Sequence, residues 1–311
     1  MPYNILDLGA LNKSLSAGFA ITNCGQVAGW IDSPVPPAPL GTPLPFIWTQ
    51  GIMQLLPLAA PAASGQAFDL NGHGQAVGNT YNTIVTRATR WQGGTMQLLP
   101  FLGDVANARS INDCGSVAGD GSTAAGNTQA WCDPGGLLSP IPVANPQILP
   151  QDRYCRAYGI NNRGQIVGGS DLGMVTIRLA AFGPPPVGAH ACLWDKGIAQ
   201  DLSALHANEG SEAYGINDKK QVVGRSGNHA FLWHNHAMTD LGAGAAYNIN
   251  NSGTVIGDSF FLQGGARTAL TALLPPNSGW SSLEGRDIND YGEIVGMGVH
   301  NGKTRAFLMW P

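Results

Sequence analysis

Charged side chains are scarce in this chain, yet several recur at fixed distances from a repeated Ile-Asn-x-x-Gly motif. Four residues before its isoleucine, or its leucine in one copy, stand Ala17, Gln66, Asn107, Arg156, Glu212, Ala245 and Glu284. Directly after the glycine that closes the next apolar segment stand Trp30, Asn79, Asp120, Gly169, Arg225, Asp258 and Met297. Neighbouring charges in a partly dry cleft move each other's pKa values apart, which is what acid and base catalysis needs.

These two positions supply a predicted site in which carboxylates act as acid and base and arginines bind the substrate. The predicted catalytic residues are Glu212, Glu284, Asp258 and Asp120, and the predicted substrate-binding arginines at these positions are Arg156 and Arg225. The alternative is that these charges are solvated or paired in salt bridges at the rim of the fold.

A third position, two residues before the isoleucine, is aromatic or cationic in every copy. It holds Phe19, Phe68, Arg109, Tyr158, Tyr214, Tyr247 and Arg286. Stacking and cation-π contacts would suit a sugar or a ring-shaped ligand, so Arg109, Arg286, Tyr158 and Tyr214 are predicted to bind substrate. Packing between repeated units is the alternative explanation. Trp280 belongs to no repeated position and is predicted to stack on the ligand.

The elements that position these residues come from an internal repeat. The motif occurs seven times, as ITNCG, LNGHG, INDCG, INNRG, INDKK, INNSG and INDYG, with a mean spacing of about 44 residues. Each unit holds four short apolar segments, a, b, c and d, separated by Gly, Asn, Asp and Pro, which is typical of antiparallel strands. Segments a and b are joined by the motif itself, where Asn and Gly favour a hairpin turn.

The ends of the chain predict how the fold closes. The chain begins with a lone d-type segment, YNILDLGAL, and finishes on a lone c-type segment, RAFLMWP. If the first segment completes the last sheet, the ring of sheets has no open edge. We therefore predict an all-β fold, a single seven-bladed β-propeller domain over residues 1–311, with four antiparallel strands per blade.

The segments AYGINDKKQVVG, HAFLW and MTDLG carry a resemblance to a known family. The chain resembles the HAF repeat family, named for a His-Ala-Phe triplet that stands here at His229, Ala230 and Phe231. The resemblance covers essentially the whole chain. It implies extracellular repeats of unassigned role, whereas the chain as written shows no signal peptide and is predicted to be soluble and cytoplasmic, or extracellular if trimmed.

Strand direction separates the two faces of the predicted propeller. The a–b and c–d hairpin turns share one face, and the b–c and d–a links, which are much less uniform, share the other. Variable loops on a rigid scaffold are usual binding sites. We therefore predict a pocket on the loop face, beneath the long fourth-unit link over residues 169–190.

Composition narrows the choice of partners. A net charge of -4 argues against nucleic acid, and no polybasic or long apolar segment indicates a membrane. Five cysteines without a CxxC pair are predicted to be buried free thiols. His190 and His229 share one repeated position, His234 and His236 fall in a hairpin, and His300 has no evident partner, so no metal site is predicted.

Two functions remain open at this point. No common catalytic or nucleotide-binding motif occurs, so an enzyme would be a metal-free, cofactor-free lyase, cyclase or hydrolase acting on a small molecule in the central funnel. The alternative is a binding module for glycan or protein. The unequal loops favour one asymmetric site and hence the enzyme, which we expect to be a monomer.

Overall fold

The computed structural model describes residues 2–11, 15–32, 42–58, 60–100, 103–122, 128–134, 136–137, 154–171 and 188–311. Within these ranges the secondary structure is β-strand, apart from one short 3-10 helix at Leu270–Leu273. None of the helical structure in these ranges is long and apolar enough to cross a membrane.

The strands are short and follow one another as hairpins. In chain order they are β1 (Asn4–Asp7), β2 (Ser16–Ile21), β3 (Val27–Asp32), β4 (Pro43–Thr49), β5 (Ile52–Leu55), β6 (Ser64–Leu70), β7 (Ala76–Tyr81), β8 (Thr86–Gln92), β9 (Thr95–Leu98), β10 (Val105–Ile111), β11 (Val117–Ser122), β12 (Thr128–Asp133), β13 (Gly136–Leu137), β14 (Cys155–Ile160), β15 (Ile166–Asp171), β16 (Ala189–Asp195), β17 (Ile198–Ser203), β18 (Ser211–Ile216), β19 (Val222–Ser226), β20 (His229–His234), β21 (Ala237–Ala243), β22 (Ala246–Ile249), β23 (Val255–Gly257), β24 (Phe260–Gln263), β25 (Ala266–Ala269), β26 (Trp280–Ile288), β27 (Ile294–His300) and β28 (Lys303–Trp310).

The described strands form six sheets. Four sheets take their strands in chain order, as β2–β5, β14–β17, β18–β21 and β22–β25. A fifth has the order β1-β28-β27-β26, so the first strand of the chain pairs antiparallel with the last, as predicted. The sixth contains eight strands, β6 to β13, because one parallel bridge between Val105 and Thr86 joins two sets of four.

Each a strand contains a β-bulge at the position of the aromatic or cationic residue. In β18, for example, the pairing with β19 shifts between Ala213 and Gly215, which leaves Tyr214 as the extra residue. A bulge breaks the alternation of side chains, so two successive residues can project towards the same side. The bulged residues are Phe19, Phe68, Arg109, Tyr158, Tyr214, Tyr247 and Arg286.

The bulge also explains the glycine that closes each b strand. A Cβ on Gly29 would lie 2.0 Å from the carbonyl oxygen of Ala17 in the neighbouring a strand. The same close approach recurs at Gly78, Gly119, Gly168, Gly224, Gly257 and Gly296. These glycines are therefore required by backbone contact rather than by a phosphate-binding loop.

The asparagine of the repeated motif does more than the predicted hairpin turn requires. In the fourth unit, the Oδ1 atom of Asn161 accepts hydrogen bonds from the amides of Arg163 and Gln165, which confirms its role in the turn. Its Nδ2 atom donates to the carbonyl of Asn217 in the next unit at 3.0 Å. Equivalent bonds between units are donated by Asn71, Asn112, Asn217, Asn250 and Asn289.

The next residue of the motif forms a second belt of hydrogen bonds. Asp218 Oδ1 accepts the amide of Asn162, and the amide of Asp218 donates to Asn251. Both belts include a bond between the last unit and the first, from Asn289 to Thr22 and from Asp290 to Asn23. The units at the two ends of the chain are therefore joined by side chains as well as by the β1–β28 pairing.

Lys220 takes the place of the motif glycine in the fifth unit. A non-glycine residue at this position predicts a turn that is either strained or differently shaped. Its φ is 61°, and its amide donates to Asn217 as the amide of Gly164 does to Asn161. The turn therefore keeps its shape with a non-glycine residue in the left-handed region, which carries a strain of about 1 kcal/mol.

Candidate functional site

The seven bulged side chains form a ring around one central channel. Phe19 lies 6.0 Å from Phe68 between ring centroids, and the guanidinium of Arg109 lies 5.1 Å from the ring of Phe68. Tyr214 has centroid contacts at 5.3 Å with Tyr158 and at 5.9 Å with Tyr247.

Arg286 completes this ring between the last unit and the first. Its guanidinium lies 4.6 Å from the ring of Tyr247 and 5.9 Å from that of Phe19. These side chains therefore pack between units, which is the alternative weighed from the sequence, and they also line the channel. Their binding of a substrate stays a prediction.

On the hairpin-turn side of this ring the channel widens into a cavity of about 340 Å³. The ring forms its floor, and its wall consists of the ends of the a strands and the motif turns. The described cavity thus opens on the face opposite to the one predicted. The predicted pocket beneath the long fourth-unit link falls largely on residues 172–187, outside the described ranges.

On the other side of the ring, towards the loop face, lies a polar layer that contains the four predicted catalytic carboxylates. In each a strand, the residue two positions before the ring residue lies about 7 Å further from the motif turns. None of the four carboxylates lines the turn-face cavity. Each instead lies close to the polar end of a ring residue, and the layer divides into two groups.

The first group is centred on Glu212, which is fully buried. Its carboxylate accepts hydrogen bonds from the hydroxyls of Tyr154, Tyr158 at 3.5 Å and Tyr214 at 3.1 Å. Arg156 lies with its guanidinium 5.3 Å from the ring of Tyr154. Tyr154 was not among the predicted site residues, because it lies outside the repeated positions.

Asp120 connects this group to two arginines. The Nε atom of Arg109 lies 2.5 Å from Asp120 Oδ1, and that of Arg156 lies 3.9 Å from Oδ2. Asn107 donates to the same carboxylate at 3.5 Å and accepts a bond from Asn79 at 2.8 Å. Asp120 is 4% exposed. It is therefore paired in salt bridges rather than solvated, which is one of the two alternatives to catalysis that the sequence left open.

The second group contains Glu284, Asp258, Tyr247 and Arg286. Arg286 lies 2.6 Å from Glu284 Oε1, and Tyr247 shares hydrogen bonds with both carboxylates. Burial and the charge of Asp258 raise the pKa of Glu284, while Arg286 and the bond to Tyr247 lower it, and the net change is upward. Burial and the two carboxylates also raise the pKa of the Tyr247 hydroxyl.

Of the two acids in this layer that form ion pairs with arginines, Glu284 is more exposed than Asp120. Its side chain is 30% exposed, compared with 5% for Asp120. The Nε atom of Arg286 is buried and has no hydrogen-bond partner among the described residues. A partly exposed acid beside a guanidinium can bind a hydroxyl-bearing ligand and exchange a proton with it.

Comparison with known proteins establishes the fold. The β-propeller domain of the Trilobed protease from Pyrococcus furiosus, described as having an open velcro topology, matches with a TM-score of 0.59 and 10% identity over 96% of each chain. The chain has a β-propeller fold. A gluconolactonase from Xanthomonas campestris matches with a TM-score of 0.41 and 9% identity, over 99% of this chain and 89% of that one. No protein-family profile and no curated protein matches the propeller.

Two predicted substrate-binding residues of the propeller are not in the channel. Arg225 donates to the carbonyl of Gly227 at 2.8 Å and to Asn228 at 2.9 Å, so it supports a b–c turn. Trp280 is 8% exposed and stacks on His300 at 4.5 Å. The prediction that Trp280 stacks on a ligand is wrong in this arrangement, because a histidine already covers its face.

Three histidines of the propeller pair with acids at the outer strands. His190 lies 3.0 Å from Asp201, His229 lies 2.8 Å from Asp240, and His300 lies 2.8 Å from Asp7. His300, for which no partner was evident from the sequence, therefore connects β27 to the N-terminal strand. The described residues contain no group of three potential metal ligands.

Sequence reasoning missed two acids that line the turn-face cavity of the propeller, Asp69 and Asp287. They occupy the position directly after the bulge, and the bulge brings this position to the channel wall. Burial and the charge of Asp287 raise the pKa of Asp69 to about 7, although hydrogen bonds from Ile111, Ser110 and Leu70 lower it. Burial raises the pKa of Asp287 to about 6.

These two acids predict how the stability of the propeller depends on pH. Their folded-state pKa values lie above the unfolded value of about 4, so the folded chain binds more protons between pH 4 and 7. The free energy of unfolding is therefore expected to fall as the pH rises from 4.5 to 8, as measured by urea denaturation. Asp69→Asn should flatten this fall near pH 7, and an unchanged slope would contradict the assignment.

Proposed function

We propose that the chain is a single, closed, seven-bladed propeller and that its polar channel layer is an acid–base site for a small molecule. Three observations support seven blades: seven bulged a strands, seven ring residues, and belts of hydrogen bonds that run from the last unit to the first. The eight-stranded sheet counts as two blades, since a single residue pair joins its halves. We also retain membership of the HAF repeat family and a monomeric state as proposals.

The enzyme proposal rests on one observation: on the loop side of the ring, Glu284 contacts Arg286 and Tyr247, and Tyr247 also forms a hydrogen bond with Asp258, whose charge acts on Glu284. Glu284 is the general acid, because its raised pKa keeps it protonated to a higher pH than an ordinary glutamate. Asp258 is the general base. Its Oδ2 atom is fixed by the amide of Ala245 at 2.8 Å.

The arginine and the tyrosine orient the substrate between these acids. Arg286 lies 2.6 Å from Glu284 Oε1, and the Tyr247 hydroxyl forms hydrogen bonds with both carboxylates, so these two side chains fix the acids on either side of the substrate. Glu212 and Asp120 hold Tyr214 and Arg109 of the ring in place rather than react. The reaction class is a proton-transfer reaction of the lyase, cyclase or hydrolase type, with the acid and the base both supplied by the chain.

Glu284→Gln is expected to reduce turnover at least 100-fold without unfolding the protein, because the amide keeps the shape of the side chain but cannot transfer a proton. The substrate is unknown, so the assay uses a small-molecule extract of the cells that make the protein. The extract is incubated with protein in the presence of EDTA, and depleted compounds are followed by mass spectrometry. Arg225→Ala is the matched control, since Arg225 lies on a loop turn outside the layer.

The experiment also distinguishes the second candidate, a module that binds glycan or protein without chemistry. That candidate is favoured by the hydrogen bonds that Glu212 and Asp120 already accept. Depletion of a compound by the wild type and by Arg225→Ala, but not by Glu284→Gln, supports the enzyme. Retention of a compound by the protein without its depletion supports the binding module, and equal turnover by Glu284→Gln contradicts the assignment of Glu284.

A further inference from the structure

The cavity on the hairpin-turn face is separate from the acid–base layer. Its volume of about 340 Å³ falls in the range of small-molecule sites, and the ring of bulged side chains forms its floor. The proposed catalytic acids Glu284 and Asp258 are not among its lining residues. A ligand in this cavity therefore meets a different set of groups from those of the proposed enzyme site.

The ionisable groups of this cavity are mostly acidic. Five of its lining residues are aspartates and two are arginines, and they are Asp69, Asp113, Asp218, Asp287, Asp290, Arg109 and Arg286. Both arginines are already paired beneath the floor, with Asp120 at 2.5 Å and with Glu284 at 2.6 Å. Asp120 therefore offsets the charge of Arg109 from the other side of the floor. Because the aspartates of the lining also outnumber the arginines, the cavity presents a net negative potential to its mouth.

The floor adds an aromatic surface to this potential. Five of the seven ring residues are Phe or Tyr. Their electron-rich faces already accept guanidinium groups, as at Phe68 and Tyr247, with centroid distances of 5.1 and 4.6 Å. Aromatic floors with carboxylates around them favour organic cations over anions and over neutral molecules of equal size.

We propose that the turn-face cavity binds a small organic cation, an aliphatic amine or diamine, at a site distinct from the acid–base layer. Its ammonium groups lie between the aromatic floor and the acids of the wall. An ammonium group in the cavity would favour the charged forms of Asp69 and Asp287, so binding of the cation should lower the raised pKa values of both acids.

The test uses 1,4-diaminobutane and two probes of matched length, 1,4-butanediol and succinate, with titration calorimetry at low and at moderate salt. We expect the diamine to bind at least tenfold more tightly than either probe, and to bind more weakly as salt is added. Equal binding of diamine and succinate, or no binding of the diamine at low salt, would overturn the proposal.

The chain offers a mild way to remove charge from the mouth. Asp113, Asp218 and Asp290 occupy a turn position that is Asn in other units, at Asn23, Asn162 and Asn251. The triple variant Asp113→Asn, Asp218→Asn and Asp290→Asn should therefore keep the fold, and it should bind the diamine at least tenfold more weakly. Asp240→Asn, at an exposed outer strand, is the control and should bind like the wild type. Unchanged affinity in the triple variant would overturn the proposal.

Cys24 and Cys114 are exposed, so the prediction of buried thiols is wrong for both, and they can report where the diamine binds. Cys24 lines the cavity, whereas Cys114, at the same position of another turn, is not among the lining residues. Saturating diamine should slow alkylation of Cys24 by iodoacetamide severalfold and leave Cys114 unchanged, as measured by peptide mass spectrometry. Protection of neither thiol, or equal protection of both, would place the diamine elsewhere and overturn the proposal.

Discussion

Replacement of Glu212 by alanine is expected to lower the free energy of unfolding by about 3 to 5 kcal/mol. The reason is that this buried carboxylate accepts hydrogen bonds from Tyr154, Tyr158 and Tyr214. Its removal leaves hydroxyl groups without their acceptor inside the channel and opens a void beneath the ring. The measurement is urea denaturation monitored by tyrosine and tryptophan fluorescence.

Glu212→Gln is the control for shape, because it keeps the side-chain volume and one acceptor oxygen. It is expected to lose about half as much stability as the alanine variant. A loss below about 1 kcal/mol in Glu212→Ala would mean that the tyrosine hydroxyls find other partners, and would contradict the role of Glu212 as an anchor of the ring.

Gly29→Ala is expected to destabilise the protein by about 3 kcal/mol or more, because the added methyl group would clash with backbone atoms that cannot move without breaking strand pairing. A Cβ at this position would lie 2.0 Å from the carbonyl oxygen of Ala17 and 3.0 Å from the ring of Phe46. Strands β2 and β3 would have to separate at the bulge to admit it. Denaturation followed by circular dichroism measures the loss.

Gly18→Ala is the matched control, because Gly18 pairs directly with Gly29 across the same two strands. A Cβ at Gly18 meets its nearest atoms at 3.4 Å, which is ordinary contact. This variant should therefore lose less than about 1 kcal/mol. Similar losses in the two variants would show that the close approach at the bulge does not require glycine.

The parts of this fold that could be predicted from the sequence are those that recur in every unit or that follow from the two ends of the chain. The motif turns, the four-stranded units and the pairing of the first strand with the last follow from spacing and from the apolar segments at the two ends. For the aromatic position, ligand lining and packing between units were weighed as alternatives, and the structure shows the packing. These features are local or periodic, so one chain carries several independent copies of the signal.

The bulges account for most of what sequence reasoning missed. Strict alternation assigns only every second residue of an a strand to the channel, whereas the bulge at Phe68 also brings Asp69 to its wall. The belts of asparagine bonds between units were missed for a different reason. Asn161 was assigned to its own turn, and only the spacing of neighbouring units shows that its amide reaches Asn217.

Residues outside the repeat could not be placed from the pattern. Tyr154 contacts Glu212, but no other unit has an equivalent that would single it out. Trp280 was assigned to a ligand because it lacked a repeated position, although its partner His300 lies on the adjacent strand. Both errors concern long side chains, whose contacts depend on tertiary packing rather than on strand register.

The most direct test of the acid–base site is the titration of Glu284 itself. Carboxyl carbons labelled with ¹³C in glutamate are followed by NMR as the pH is raised, and Glu284→Gln assigns the resonance. We expect a pKa for Glu284 above the usual value of about 4.3, and a lower pKa, closer to that value, in Asp258→Asn. An ordinary pKa for Glu284, unaffected by Asp258→Asn, would contradict the proposed acid–base site.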